Sequence, residues 1–323
     1  MTPAIRCTDL VKTYKGKPPV EAVRGINFEI PVGQCYGVLG PNGAGKTTTI
    51  EILEGLLDAT SGTAEVLGMQ WKTDAMRIRE RIGVSLQETV LSDRLSVGET
   101  IQMFRSFYSS GIDPSVALAK VSLEEKEKAW IKTLSGGQKQ RLAVATALVG
   151  DPELIFLDEP TTGLDPTSRR QLWDIISSFG EQGRTVLLTT HYMEEAERLC
   201  DRVAIFDRGQ IIAEGTPTEL IRSLGAEHVL EFSTDVDSRE LDLKKFKAIP
   251  SVDQLEANGN EIRMTVGRPH EVLPQLINLL ADQNRSMSSL TTRHASLEDV
   301  FVSLTGRMLS DEDAEPESAE ASS

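Results

Sequence analysis

Cysteine is scarce in this chain. The three present, Cys7, Cys35 and Cys200, are scattered, with no C-x-x-C spacing; that argues against a disulfide framework and fits a reduced cytosolic protein. No apolar run reaches the length needed to span a bilayer. The start, Met1-Thr2-Pro3-Ala4, lacks a signal-peptide core. A role at a membrane therefore needs another chain to supply the spans. Basic charge is also short: 34 Lys and Arg stand against 49 Asp and Glu, a formal net charge of −15. That disfavours nucleic acid as the main partner, because phosphate backbones need a basic face. Asp311, Glu312, Asp313, Glu315, Glu317 and Glu320 crowd the last thirteen residues, so the rest is less acidic. What remains supports a globular protein: 39% hydrophobic residues in 323, a length that suggests one large and one small domain.

The chain is organised around Gly40-Pro41-Asn42-Gly43-Ala44-Gly45-Lys46-Thr47, which fits G-x-x-x-x-G-K-[ST] without a mismatch. Cys35 to Leu39 before it reads as a short buried strand. Thr48 to Leu57 after it reads as a helix with Ile50, Leu53 and Leu57 on one side. Glycines let backbone N–H groups turn inward around a polyphosphate, and the helix start adds a positive dipole end. Lys46 is placed to neutralise the β/γ-phosphates and Thr47 to offer a hydroxyl to Mg²⁺. A plain glycine-rich turn would not need Lys46-Thr47 in register behind a strand.

Ahead of this loop, Ile5 to Val11 forms a strand, and Ile26, Phe28 and Ile30 alternate with polar residues as a half-buried one. Tyr14, in the turn between them, is either a packing residue or a flat surface for a nucleotide base. Beyond the loop, strands are expected at Ala64–Leu67 and Ile82–Leu86, with a helix at Arg77–Arg81 between them. Gln87 ends the second strand, where parallel sheets place ligands. Residues 88 to 133 switch to helical spacing at Val97, Ile101, Phe104 and Phe107-Tyr108. They form a helical subdomain with an ordinary core or a groove for a partner's helix.

A second anion-binding helix start follows at Leu134-Ser135-Gly136-Gly137-Gln138. It serves the same nucleotide as the phosphate loop or a different site. Leu154 to Leu157 is a buried strand delivering Asp158 and Glu159 to the sheet edge. Asp158 suits a Mg²⁺ shell, and Glu159 suits a general base on water. Both acids as mere caps of the following turn is the weaker reading, because the phosphate loop needs such an acid. Asp165-Pro166 is a helix start, cap then N1 proline. Val186 to Thr190 is another buried strand, ending on His191, a candidate γ-phosphate contact.

Taken in order, these motifs resemble the nucleotide-binding subunit of an ABC (ATP-binding cassette) transporter over residues 5 to 225. The set includes Gly163-Leu164-Asp165, and no core motif is degenerate. The resemblance implies an α/β P-loop NTPase fold, the ABC cassette, with an antiparallel β subdomain and a helical subdomain at about 88–150. It implies MgATP hydrolysis in head-to-tail dimers, homo- or heterodimeric. Tyr14 and Gly40 through Thr48 would hold ATP from one side, and Ser135, Gly136, Gly137, Gln138 and Asp165 from the other subunit. Thr47, Gln87 and Asp158 would hold Mg²⁺; Glu159, His191 and Lys46 would be catalytic. A membrane permease would sit on the helical subdomain and the loop after Gln87, placing the protein peripherally on the cytoplasmic face of the cell membrane.

A small C-terminal α+β domain is expected over 226–309, with strands near Val229–Ser233, Ile262–Val266 and Met287–Thr292. Helices are expected at Pro269–Gln283 and from Ser296. The acidic residues 310–323 lack periodicity and predict disorder. Leu297 to Gly306 is similar to the end of ABC-2-type exporter ATPases, the group with daunorubicin-resistance and sodium-export members. An importer ATPase is the alternative, and a soluble ABC ATPase of DNA repair or translation a more distant one. The repair type is disfavoured by the lack of heptads between phosphate loop and signature, and the translation type by a single cassette.

Overall fold

The computed structural model describes residues 2–87, 89–225 and 228–306; the expected disordered tail lies outside them. The chain divides between Thr216 and Pro217 into two compact units.

The first unit opens with strands β1 (Ile5–Tyr14) and β2 (Val20–Ile30). Then come β3 (Cys35–Leu39), α1 (Lys46–Leu53), β4 (Ser61–Val66), α2 (Trp71–Arg79) and β5 (Ile82–Ser85). A helical stretch follows: α3 (Val97–Arg105), α4 (Pro114–Lys120) and α5 (Gly136–Leu148). The chain returns to strands with β6 (Leu154–Asp158), α6 (Pro166–Glu181), β7 (Thr185–Thr190), α7 (Met193–Leu199), β8 (Arg202–Asp207) and β9 (Gln210–Gly215).

These strands make two sheets. One is antiparallel, ordered β2-β1-β4; the other is ordered β5-β6-β7-β3-β8-β9, parallel except for β9. The crossovers put β3, β6 and β7 in the middle, and every residue of all three is buried. Strands covered on both faces read as continuous apolar runs, which is why the sequence shows them plainly. One core joins the two sheets: Ile5, Leu10, Phe28 and Ile30 pack with Tyr36, Val38, Ile50 and Phe156, and the Phe28 and Tyr36 rings stack 5.8 Å apart.

Several boundaries shift from expectation. Tyr14 is the last residue of β1, paired with Val20, and not part of a turn. Helix α2 starts at Trp71, six residues before Arg77. Helix α3 ends at Arg105, so Phe107 leaves the apolar stripe and is 67% exposed. The Tyr108 ring lies where a Cβ on Gly150 would stand.

The second unit begins with α8 (Pro217–Arg222), which the sequence attaches to the first domain but which packs on the terminal helix. Its sheet holds β10 (His228–Thr234), β11 (Val252–Asn258), β12 (Glu261–Val266) and β13 (Met287–His294). The order is β11-β12-β10-β13, all antiparallel. Helices α9 (Leu243–Lys247) and α10 (Pro269–Asp282) cover one face through Leu230, Phe232, Ile262, Phe246, Leu276 and Leu280. Helix α11 (Leu297–Thr305) bonds to the alternate residues of the same strands, through Asp299 to Arg263 and Arg293, and so lies on the opposite face.

Candidate functional site

The loop between β3 and α1 turns on two glycines. Gly40 has φ +148° and Gly45 φ +98°, and a Cβ on either would stand 2.3 Å from a carbonyl oxygen, of Phe206 or Ala22. Only glycine fits such places. Lys46 is 5% exposed, and its ammonium donates to the carbonyls of Gly40 at 2.6 Å and Pro41 at 3.0 Å. A positive charge is thus curled into the hollow of the loop. Thr47 is exposed in the first turn of α1. Tyr14 OH is 3.4 Å from Thr48 Oγ1, so strand β1 delivers its aromatic ring to the same helix start.

Across the sheet edge, the ends of β5, β6 and β7 meet at one carboxylate oxygen. Glu159 Oε2 accepts from Gln87 Nε2 at 3.3 Å and from Thr162 Oγ1 at 3.0 Å, and it faces His191 Nδ1 at 3.2 Å. Glu159 itself is left-handed, φ +44°, a conformation that costs about 1–3 kcal/mol in a non-glycine residue. Its backbone N–H is held by the carbonyl (3.2 Å) and hydroxyl (2.9 Å) of Thr189. The hydrogen bond with His191 brings its pKa below the usual carboxylate value against the opposing effect of burial, helped by Thr162 and Lys46. Glu159 is therefore ionised at neutral pH and able to accept from water.

Asp158 is 5% exposed and accepts from the Thr189 hydroxyl. Burial raises its pKa, as does the charge of Glu159, while Thr189 and Lys46 offset part of the rise. Two neighbouring carboxylates answered by one ammonium make a pocket short of positive charge. The hydroxyl of Thr47, the carboxylate of Asp158 and the amide oxygen of Gln87 are the hard oxygen donors that Mg²⁺ prefers. Among the described residues no group of three or more His, Cys, Asp and Glu is arranged to hold a metal alone. That suits an ion bound through a carboxylate together with substrate phosphates.

The second helix start keeps different company. Ser135 caps α5 in a reciprocal box, its Oγ accepting from Gln138 N at 3.3 Å and its N–H donating to Gln138 Oε1 at 3.0 Å. Gly136 faces open space, and a Cβ on Gly137 would meet Ser168 Oγ at 2.5 Å. Ser168 Oγ donates to Asp165 Oδ2 at 2.6 Å, and Asp165 caps α6. The contacts of Ser135–Gln138 and Asp165 thus run to each other through Ser168. Those of Gln87, Glu159 and His191 gather beside the phosphate loop. Sequence reasoning overlooked Thr189 and Thr162; the pairing of Asp158 with Thr189 across β6 and β7 is the signal for the first.

This fold and loop define an ATP-binding cassette ATPase. The family model described as "ABC transporter" matches residues 23–162, and one described as "AAA domain, putative AbiEii toxin, Type IV TA system" matches residues 131–195. The chain is 39% identical to "Nod factor export ATP-binding protein I" of Burkholderia lata, over 90% of this chain and 93% of that one. It is 37% identical to the protein of that name from Ralstonia nicotianae, over 96% of each. A dimeric ATP-binding cassette solved in a post-hydrolysis state with ADP and Pi has TM-score 0.60 and 26% identity, covering 66% of this chain and 98% of that one. A structure described as the ATP binding subunit of an ABC transporter has TM-score 0.61 at 26% identity, covering 69% and 93%. The chain belongs to the ATP-binding subunits of ABC transporters, and it binds and hydrolyses ATP.

Proposed function

We propose that this subunit energises export through a separate membrane permease of the ABC-2 type, working as a dimer on the cytoplasmic face of the cell membrane. Export as the direction is supported by relatives named as export ATP-binding proteins along nearly the whole chain. No helix among the described residues is long and apolar enough to cross a membrane, in keeping with a permease on another chain. The dimer is supported by the contacts of Ser135–Gln138 and Asp165, which run to each other through Ser168, and by the dimeric cassette of similar fold. One copy's phosphate loop would face the other's Ser135, in a homodimer or a heterodimer.

The observation that carries the chemistry is the convergence of Gln87, Thr162 and His191 on Glu159 Oε2. Lys46 leaves the loop carbonyls for the β- and γ-phosphates, and the backbone N–H groups of Gly43 to Thr48 take the remaining phosphate oxygens. Tyr14 stacks on the base. Glu159 accepts a hydrogen bond from the attacking water and orients it at the γ-phosphorus. With Nδ1–H donated to Glu159, His191 in its imidazolium form donates Nε2–H to a γ-phosphate oxygen. Thr47, Asp158 and Gln87 would hold Mg²⁺, which when bound neutralises charge developing on the transferred group. The bond from the γ-phosphorus to the ADP oxygen breaks as the bond to water oxygen forms, the water's proton passes to Glu159 and from there to the departing phosphate or solvent, and ADP and phosphate leave.

Glu159→Gln tests this directly. Loss of a general base costs about 10²–10⁴-fold in kcat, with ATP binding intact in an equilibrium assay. Turnover near the parent's would remove Glu159 from the mechanism. Turnover per chain is expected to rise with chain concentration, and a flat profile would argue against the shared site. Affinity capture from membranes should recover a membrane-spanning partner.

A further inference from the structure

Helix α7, just after His191, buries a carboxylate that hydrolysis as described does not use. Glu195 is 0% exposed. Its Oε1 accepts from Trp173 Nε1 of α6 at 2.9 Å. Its Oε2 accepts no aligned hydrogen bond, and the buried Thr161 hydroxyl and Arg169 Nε have no partner either. Thr161 and Arg169 both act on the Glu195 carboxylate, so the three are neighbours. Burial raises the Glu195 pKa, and Thr190, Trp173 and Thr161, then the charge of Arg169, offset part of that rise. An acceptor and two donors left without aligned partners are costly in a buried place.

The members of this group lead to the chemistry from two sides. Thr161 is two residues past Glu159, and Thr190 immediately precedes His191. The Arg169 guanidinium lies 4.4 Å over the Tyr192 ring, which is 4.1 Å from the His191 ring. Glu159 and His191 themselves meet at 3.2 Å. We propose that Glu195 is a positioning residue, tying the segment after Glu159 to the end of β7 and so fixing the separation of Glu159 from His191. This rests on the assignment of Glu159 and His191 to hydrolysis. The leverage is large for a group that touches no substrate, because a misplacement of about 1 Å at a reacting centre costs about 10²-fold.

The experiment measures kcat and KM for MgATP on the full chain, for Glu195→Ala, Glu195→Gln and Trp173→Phe beside Glu159→Gln. Glu195→Ala is expected to lower kcat about 10- to 100-fold with KM within about 2-fold, because the phosphate-loop contacts are made elsewhere. Glu195→Gln still accepts from Trp173 and donates to a threonine hydroxyl, so it should stay within about 3-fold of the parent. Trp173→Phe, which removes the donor, should fall between them. Parent kcat in Glu195→Ala overturns the inference, as does an equal loss in Glu195→Gln or a KM that rises in step with the fall in kcat. Should Glu195→Ala fail to fold, Trp173→Phe decides alone, and parent kcat there overturns it. Glu159→Gln separates the two readings. If it turns over normally, the assignment of Glu159 fails and takes this inference with it. If it is inactive while Glu195→Ala is normal, only the positioning role is lost.

Discussion

Both units bury acids, and they treat them in opposite ways. In the second unit Asp299 is 3% exposed and fully answered. Arg293 donates to both its oxygens at 2.7 and 2.9 Å, Arg263 donates to Oδ1, and Ser296 N and Oγ donate to Oδ2. Glu231 completes the set beside both arginines. In the first unit Asp158 and Glu159 both feel the charge of Lys46, while Glu54 feels the like charges of Asp158 and Glu51 and has neither oxygen paired. A compensated buried charge locks a helix to a sheet. An undercompensated one costs stability and waits for a cation or a proton.

The sharpest way to break this contrast is to neutralise one acid of each kind. Asp158→Asn should lower turnover most, by about 10²–10³-fold, the loss seen when one stabiliser of transition-state charge is removed. Yet it should raise the urea midpoint of the nucleotide-free protein, since a costly charge has gone. Asp299→Ala should do the reverse. It strands two arginines and costs about 3 kcal/mol, the low end of the range because the Arg293 side chain is 33% exposed, while the phosphate-loop group stays intact. Unfolding curves with turnover assays would check both. Destabilisation by Asp158→Asn as large as that by Asp299→Ala would end the distinction.

The same contrast explains what the sequence could reveal. Gln87, Asp158 and His191 were legible because each follows a buried strand whose apolar run announces it. The phosphate loop was legible because its glycines and Lys46 are contiguous. Glu195 was not. Met193-Glu194-Glu195-Ala196-Glu197 reads as no more than an acidic stretch, and only packing against Trp173 selects which acid is buried. Helix α7 was missed with it, being short and mostly polar. Strand β11 was missed because an edge strand of mixed exposure, Val252–Asn258, is held by backbone pairing with β12 and shows little alternation. Glu54 hid in Ile52-Leu53-Glu54-Gly55, where nothing local marks it as buried.

Glu54 gives the most specific test. Burial, then the charges of Asp158 and Glu51, push its pKa up from 4.5 to about 8. The folded state therefore holds a proton that the unfolded chain has released across that window. This contribution to stability is fully present below about pH 4.5 and is lost as pH rises through about 8. Glu54→Gln cannot titrate. Its advantage over the parent should grow between pH 5 and pH 8 and then level off, reaching a few kcal/mol at about 1.4 kcal/mol per pH unit. Urea unfolding without nucleotide at pH 5, 7 and 9 measures it. An advantage equal at all three values would mean that Glu54 finds a partner in solution, and the first unit would then balance its buried charge much as the second does.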